Sequence, residues 1–260
     1  MTMSKSSTQS LTLTQEKIDQ FHQEGYLVVP DLLTKNEVED YLQYQAQTKL
    51  PENENGLLRH TKEPEWAYIA KHPNVAGAAA QLLGGTVRIV QSMYLKKEPG
   101  GQGISFHQDN HYHPTEPNTL MACWIAMSDT DPDNGGLCVV PGSNQKPLRS
   151  THKNEDQEEH TSWEKEYQMR DQNGHEWTNR FYAFEVDGID EDQILRLTVP
   201  RGGGVFFTGM TIHGSYANRS KDRTRMAFAV HYVKDGSWVF RTDCQDTQIV
   251  NLYSTLPAAN

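Results

Sequence analysis

The hydrophobic period of the chain changes once, near residue 86, and the change divides the expected elements. Upstream, apolar residues recur at helical spacing. A helix is expected after Thr14, burying Ile18 and Phe21 and stopping at Gly25. Tyr26–Val29 reads as a short strand closed by Pro30. Thr34 with Glu37 three residues on forms a capping box, and Val38, Tyr41, Leu42 and Tyr44 give the next helix its apolar stripe. A third helix is expected over 75–83, ended by Gly84-Gly85. Downstream, short alternating runs predict strands over 87–94, 103–109, 120–127, 137–140, 205–208 and 224–233. Glu98-Pro99-Gly100-Gly101, Asp133-Asn134-Gly135-Gly136, Pro141-Gly142-Ser143 and Gly202-Gly203-Gly204 punctuate them. Helices followed by many short strands predict an α+β, mainly β chain: a sandwich or open barrel backed by N-terminal helices.

Length suits a single domain over 13–260, preceded by a Ser-, Thr- and Gln-rich stretch, 1–12, expected to fray. The 34 acids against 24 bases, net −10, argue against nucleic acid or an anionic membrane as partner. The surplus is local. Residues 151–192 form an acidic insertion with 13 acids and 4 bases, interleaved with Trp163, Tyr167, Trp177, Phe181 and Tyr182. It reads either as a solvated insertion between strands or as a lid whose aromatics cover a site and whose acids repel anionic ligands. No run of 18 apolar residues exists, the N-terminus lacks a signal-peptide core, and Cys123, Cys138 and Cys244 contain no CxxC. These features predict reduced thiols in a cytoplasmic protein.

The candidate chemistry begins at His107-Gln108-Asp109, near the end of a predicted strand, where positions i and i+2 share a face. Such a pair alone means little, because chance supplies roughly one HxD in a chain of this composition. Two further features support it. His213 lies just past the apolar run 205–208. Arg225 opens a strand in which Ala227, Ala229 and His231 share its face while Met226, Phe228, Val230 and Tyr232 take the other. A cation at the end of a face of small residues is a seat for an anionic ligand, and Ala122, Trp124 and Ala126 repeat the device. Two His and one carboxylate leave three open metal positions, the arrangement of non-haem Fe(II) oxygenases. A bidentate 2-oxo acid fills two and dioxygen the third, and an arginine fork suits the far carboxylate of 2-oxoglutarate. His231 reads as a satisfied core histidine, and Cys123 and Cys138 as small core residues.

Several motifs together resemble the phytanoyl-CoA dioxygenase family: Phe106-His107-Gln108-Asp109-Asn110-His111-Tyr112, Trp124-Ile125-Ala126-Met127, Asn134-Gly135-Gly136-Leu137, Val140-Pro141-Gly142-Ser143, and His213-Gly214-Ser215 followed by Asn218, Arg225 and Ala227. The resemblance runs from about residue 15 to 233, with a gap over the acidic insertion. It implies a double-stranded β-helix, a jelly-roll or cupin-like barrel, working with Fe(II), 2-oxoglutarate and O₂, with ascorbate supportive in assays. His107, Asp109 and His213 would be the catalytic metal ligands. Arg225, Ser215 and Trp124 would hold 2-oxoglutarate, and Gln91 would contact substrate. Apart from the resemblance, His111, Tyr112 and His113 follow the metal strand and read either as lining the pocket mouth, with His111 touching substrate, or as partly exposed loop residues. Arg223 has the same strand parity as Arg225 and stays open as the anchor, though the run after Arg225 favours the latter. The carboxylate at Asp109, which halogenating relatives lack, implies hydroxylation of an unactivated C–H bond. The acidic insertion points to a small polar metabolite rather than a coenzyme A thioester. A cupin-type metal enzyme without a 2-oxo acid, and a catalytically silent binding barrel, are the alternatives.

Overall fold

The computed structural model describes residues 11–48, 57–156 and 158–250. Helix α1 (Gln15–Glu24) starts where the Thr14 hydroxyl accepts from Lys17 N and stops at Gly25, whose φ of 79° is left-handed. A Cβ at Gly25 would lie 2.6 Å from Asn144 Cγ, so only glycine fits the bend into the strand Tyr26–Val29. Helix α2 (Lys35–Gln47) carries the expected capping box. Helix α3 (Pro64–Ala70) was not expected; it has seven residues and no side-chain N-cap, and Pro64 at its first position is its one start signal. Helix α4 (Pro73–Leu83) begins two residues early because His72 caps it, its Nδ1 accepting from Asn74 N at 3.3 Å. Most of the expected frayed stretch 1–12 lies outside the described residues. Its end is held to α4: Leu11 N donates to Asn74 Oδ1, and Gln81 Nε2 donates to Leu11 O.

Ten strands form two antiparallel sheets that face one another as a jelly roll. The larger is ordered Tyr26–Val29, Gly204–Thr208, Met121–Ala126, Arg225–Lys234, Val87–Lys97, Gln248–Ile249. The smaller is ordered Leu195–Arg196, Cys138–Val139, His213–Ser215, Ile104–His107. Strand alternation separates the two faces of the larger sheet as expected. Cys123, Ile125, Phe206, Phe228, Val230 and Tyr232 pack on the helices through Tyr41, Trp66, Ile69 and Leu82. Ala122, Trp124, Ala126, Val205, Phe207, Ala227 and Ala229 face Leu137, Val139, Leu197 and Val199. The small residues on this inner face leave room between the sheets. All three cysteines are buried free thiols. No helix among the described residues is long and apolar enough to cross a membrane.

The insertion folds as two ladders. Thr151–Lys153 pairs with Phe184–Val186, and Glu164–Arg170 forms a hairpin with Glu176–Tyr182. Tyr112 stitches them to the barrel, its hydroxyl accepting from Phe184 N (2.9 Å) and donating to Tyr182 O (3.1 Å).

Beneath the helices, Glu37 is 3 % exposed and accepts from Thr34 N (2.8 Å), Tyr68 OH (2.6 Å) and His72 Nε2 (3.0 Å). Burial opposes its ionisation, but the bonds from His72, Tyr68 and Thr34 outweigh this and hold the carboxyl at about 2. Glu37→Ala strands these donors together with the Thr34 hydroxyl and is expected to lower stability by about 3 kcal/mol in denaturant unfolding. Because the folded-state value lies below the usual 4.5, the Glu37 contribution is complete above pH 4.5 and fades as pH falls towards about 2. The variant should lack that dependence.

Candidate metal centre and anion pocket

His107 ends one strand of the smaller sheet and His213 opens its neighbour, and the two are register partners with ring centroids 4.3 Å apart. Asp109 sits just past the strand, in a 3-10 turn over Asp109–His111, so the expected strand over 103–109 ends at His107. The turn still brings Asp109 Oδ1 to 3.5 Å from His107 Nε2 and 3.7 Å from His213 Nε2. Ligand atoms of the three residues lie within 4.8 Å of one another.

The hydrogen bonds around these groups suit a metal. His107 Nδ1 is 2.7 Å from Ser105 O and His213 Nδ1 is 3.0 Å from Thr211 O. A carbonyl only accepts, so each Nδ1 carries the proton and each Nε2 presents a lone pair. Burial pushes His213 down to about 4, leaving the neutral imidazole that a metal requires. Burial opposes ionisation of Asp109, and the surrounding His213, His231 and His107 outweigh it, holding the carboxyl well below the usual range. His231 Nε2 is 3.0 Å from Asp109 Oδ2, and its Nδ1 is 3.3 Å from Gln91 Nε2. With Gln91 donating to Nδ1, His231 donates to Oδ2, which leaves Oδ1 to face the two histidines.

The trio opens into a cavity of about 860 Å³ between the sheets, within the range of roughly 300–1,000 Å³ for small-molecule pockets. Gln91, Trp124, Ser215 and Arg225 line it as expected, together with Met93, Leu95, Tyr112, His113 and His231. Trp163, Tyr167 and Phe181 of the insertion line it too, so its aromatics do reach the site. Its acids do not, apart from Glu164, which pairs with Lys153 and Arg180. Of the two readings of this insertion, the cavity wall carries its aromatics and, of its acids, Glu164 alone.

Arg225 is 3 % exposed, donates to Gly135 O (3.2 Å) and stands 5.8 Å over the Trp124 ring. Burial pushes it down to about 10. Arg223 precedes the strand and pairs with Asp131 outside the cavity, which settles which arginine faces the pocket. His111 follows the loop reading. It is absent from the cavity wall because its Nε2 bonds Arg149 O (3.1 Å) and its ring packs on Phe184. One lining residue, His231, and one residue bonded behind the wall, Lys97, escaped sequence reading. His231 shares a face with Arg225 at even spacing, the signal that existed. Lys97, 5 % exposed, lies beyond the expected end of its strand at 94, although it has the parity of Gln91, Met93 and Leu95.

Comparison with known proteins agrees with this geometry. The chain is 28 % identical over 251 residues to an ectoine dioxygenase of Stutzerimonas stutzeri (strain A1501), covering 87 % of this chain and 79 % of that one. It is 28 % identical over 165 residues to the peroxisomal phytanoyl-CoA dioxygenase of Rattus norvegicus, of which it spans 43 %. Among solved structures, the alpha ketoglutarate-dependent carbocyclase SnoK from nogalamycin biosynthesis superposes with a TM-score of 0.63 at 24 % identity, covering 94 % of this chain and 91 % of that one. The epimerase SnoN, solved with Fe3+ and alpha ketoglutarate, gives 0.67 at 18 %, covering 88 % and 86 %. Both share the fold. The family profile described as Phytanoyl-CoA dioxygenase (PhyH) matches residues 21–227, and the chain belongs to that family of non-haem iron, 2-oxoglutarate-dependent dioxygenases.

Proposed function

We propose that the protein hydroxylates an unactivated C–H bond of a small metabolite, using Fe(II), 2-oxoglutarate and O₂ and releasing succinate and CO₂. The observation that carries this reading is the convergence of two proton-free Nε2 atoms and one carboxylate oxygen beside a buried arginine. Two imidazoles and one carboxylate are a donor set that ferrous iron accepts, and they cover one face of it. When bound, the metal supplies dioxygen activation coupled to oxidative decarboxylation of the 2-oxo acid.

The chain's own residues set the rest. His107, Asp109 and His213 hold the metal, and His231 keeps Asp109 to one free oxygen. Arg225 and Ser215 receive the far carboxylate of 2-oxoglutarate against Trp124. Gln91 contacts substrate and also orients His231. Trp163, Tyr167 and Phe181 cover the substrate and keep bulk water from the reacting carbon. The mixture of rings with Gln91, His113 and Arg241 suits a metabolite with both apolar and polar parts. Three buried thiols fit a reducing compartment such as the cytoplasm.

The test is succinate release from 2-oxoglutarate with Fe(II) and ascorbate across a panel of candidate metabolites. Release that rises with one compound, with a product heavier by one oxygen, is expected. Turnover of a panel compound by the iron-loaded protein without any 2-oxoglutarate requirement would overturn the reading in favour of a cupin-type enzyme.

A further inference from the structure

Lys97 is a buried lysine behind the cavity wall, bonded to the lining residue Ser215, and it is the register partner of Arg225 on the adjacent strand. The two cationic heads converge on one carbonyl: Lys97 Nζ lies 3.5 Å and Arg225 Nε 3.2 Å from Gly135 O. Position 135 requires glycine, since its φ is +75° and a Cβ there would lie 2.8 Å from Tyr216 O. Lys97 also donates to Tyr216 O (2.6 Å) and Ser215 Oγ (2.9 Å). Among the described residues neither cation pairs with a carboxylate; the nearby Glu159 bonds Arg219 (2.8 Å) and Ala217 N (2.7 Å). Two buried cations side by side call for an anion.

An ammonium only donates, so Ser215 Oγ must accept from Lys97, and the hydroxyl's own hydrogen is free for a ligand. We infer that Lys97 is a positioning residue for the distal carboxylate of 2-oxoglutarate, fixing Ser215 as a donor and adding a second positive charge behind Arg225. The inference rests on the proposed cosubstrate. It also implies a proton balance. Burial and Arg225 push Lys97 down to about 7, while Cys138 and Glu159 act in the opposite direction and the ring of His160 faces the same ammonium. A carboxylate bound at Arg225 and Ser215 favours the charged lysine behind them, so binding draws a proton from solvent onto Nζ.

The experiment is calorimetric titration of 2-oxoglutarate into oxygen-free, Mn(II)-loaded protein, in buffers of different ionisation heat, from pH 6 to 8. Wild-type protein is expected to take up more proton per ligand at pH 8 than at pH 6, with affinity weakening as pH rises. Lys97→Met, close in size, should lose the uptake and bind at least about tenfold more weakly at pH 6. Tight binding with no pH-dependent uptake, or uptake unchanged in Lys97→Met, overturns the inference and leaves the proposed function standing. No binding of 2-oxoglutarate to the Mn(II)-loaded wild-type protein overturns both.

Discussion

Asp109→Ala is expected to end 2-oxoglutarate-dependent succinate release, lowering it by well over a factor of about 100. Asp109 Oδ1 is the point at which the two histidines meet, 3.5 and 3.7 Å from their Nε2 atoms. Removing it deletes the only anionic donor of the trio and leaves His231 Nε2 without its acceptor. Retained turnover would mean that these groups do not hold the metal. Metal affinity, followed by Co(II) absorbance, should fall in parallel and separates lost binding from damage elsewhere. Folding serves as the control: Asp109 is no part of the apolar core between helices and larger sheet, so unfolding should stay cooperative.

Arg225→Ala is expected to raise the 2-oxoglutarate concentration for half-maximal turnover by about a hundredfold, the usual consequence of truncating one partner of a buried charge pair. Arg223→Ala is the paired measurement and should leave that requirement unchanged, because Arg223 spends its guanidinium on Asp131 at the surface. The reverse result would return the anchoring role to Arg223. A requirement unmoved in both variants would deny any arginine anchor here.

The unequal legibility of these residues has physical causes. His107, Asp109 and Arg225 could be read because strand parity is local: residues two apart share a face whatever the rest of the chain does. The pairing of His213 with His107 depends on register between segments 106 residues apart, which no local pattern encodes. Lys97 was lost because Lys96-Lys97-Glu98 looks like a solvated strand end, whereas alternation turns Lys97 inward and leaves Lys96 and Glu98 at the surface. His231 resembles any buried histidine until Asp109 is found beside it. Short α3 carries too little periodicity to be seen. The sequence left the insertion open between a solvated excursion and a cover for the site, since a hairpin's facing is set by what it packs on; Trp163, Tyr167 and Phe181 line the cavity.

The two halves of the pocket hang from different layers. His107 and His213 belong to the smaller sheet, with Asp109 just past its end, whereas Lys97 and Arg225 are neighbours in the larger one. A dicarboxylate gripped at both ends would therefore act as a rivet through the sandwich. Slippage of one layer over the other would spoil metal and anion contacts together, so loosening of the inter-layer seam, even by substitutions remote from the pocket, should register first as weaker cosubstrate retention.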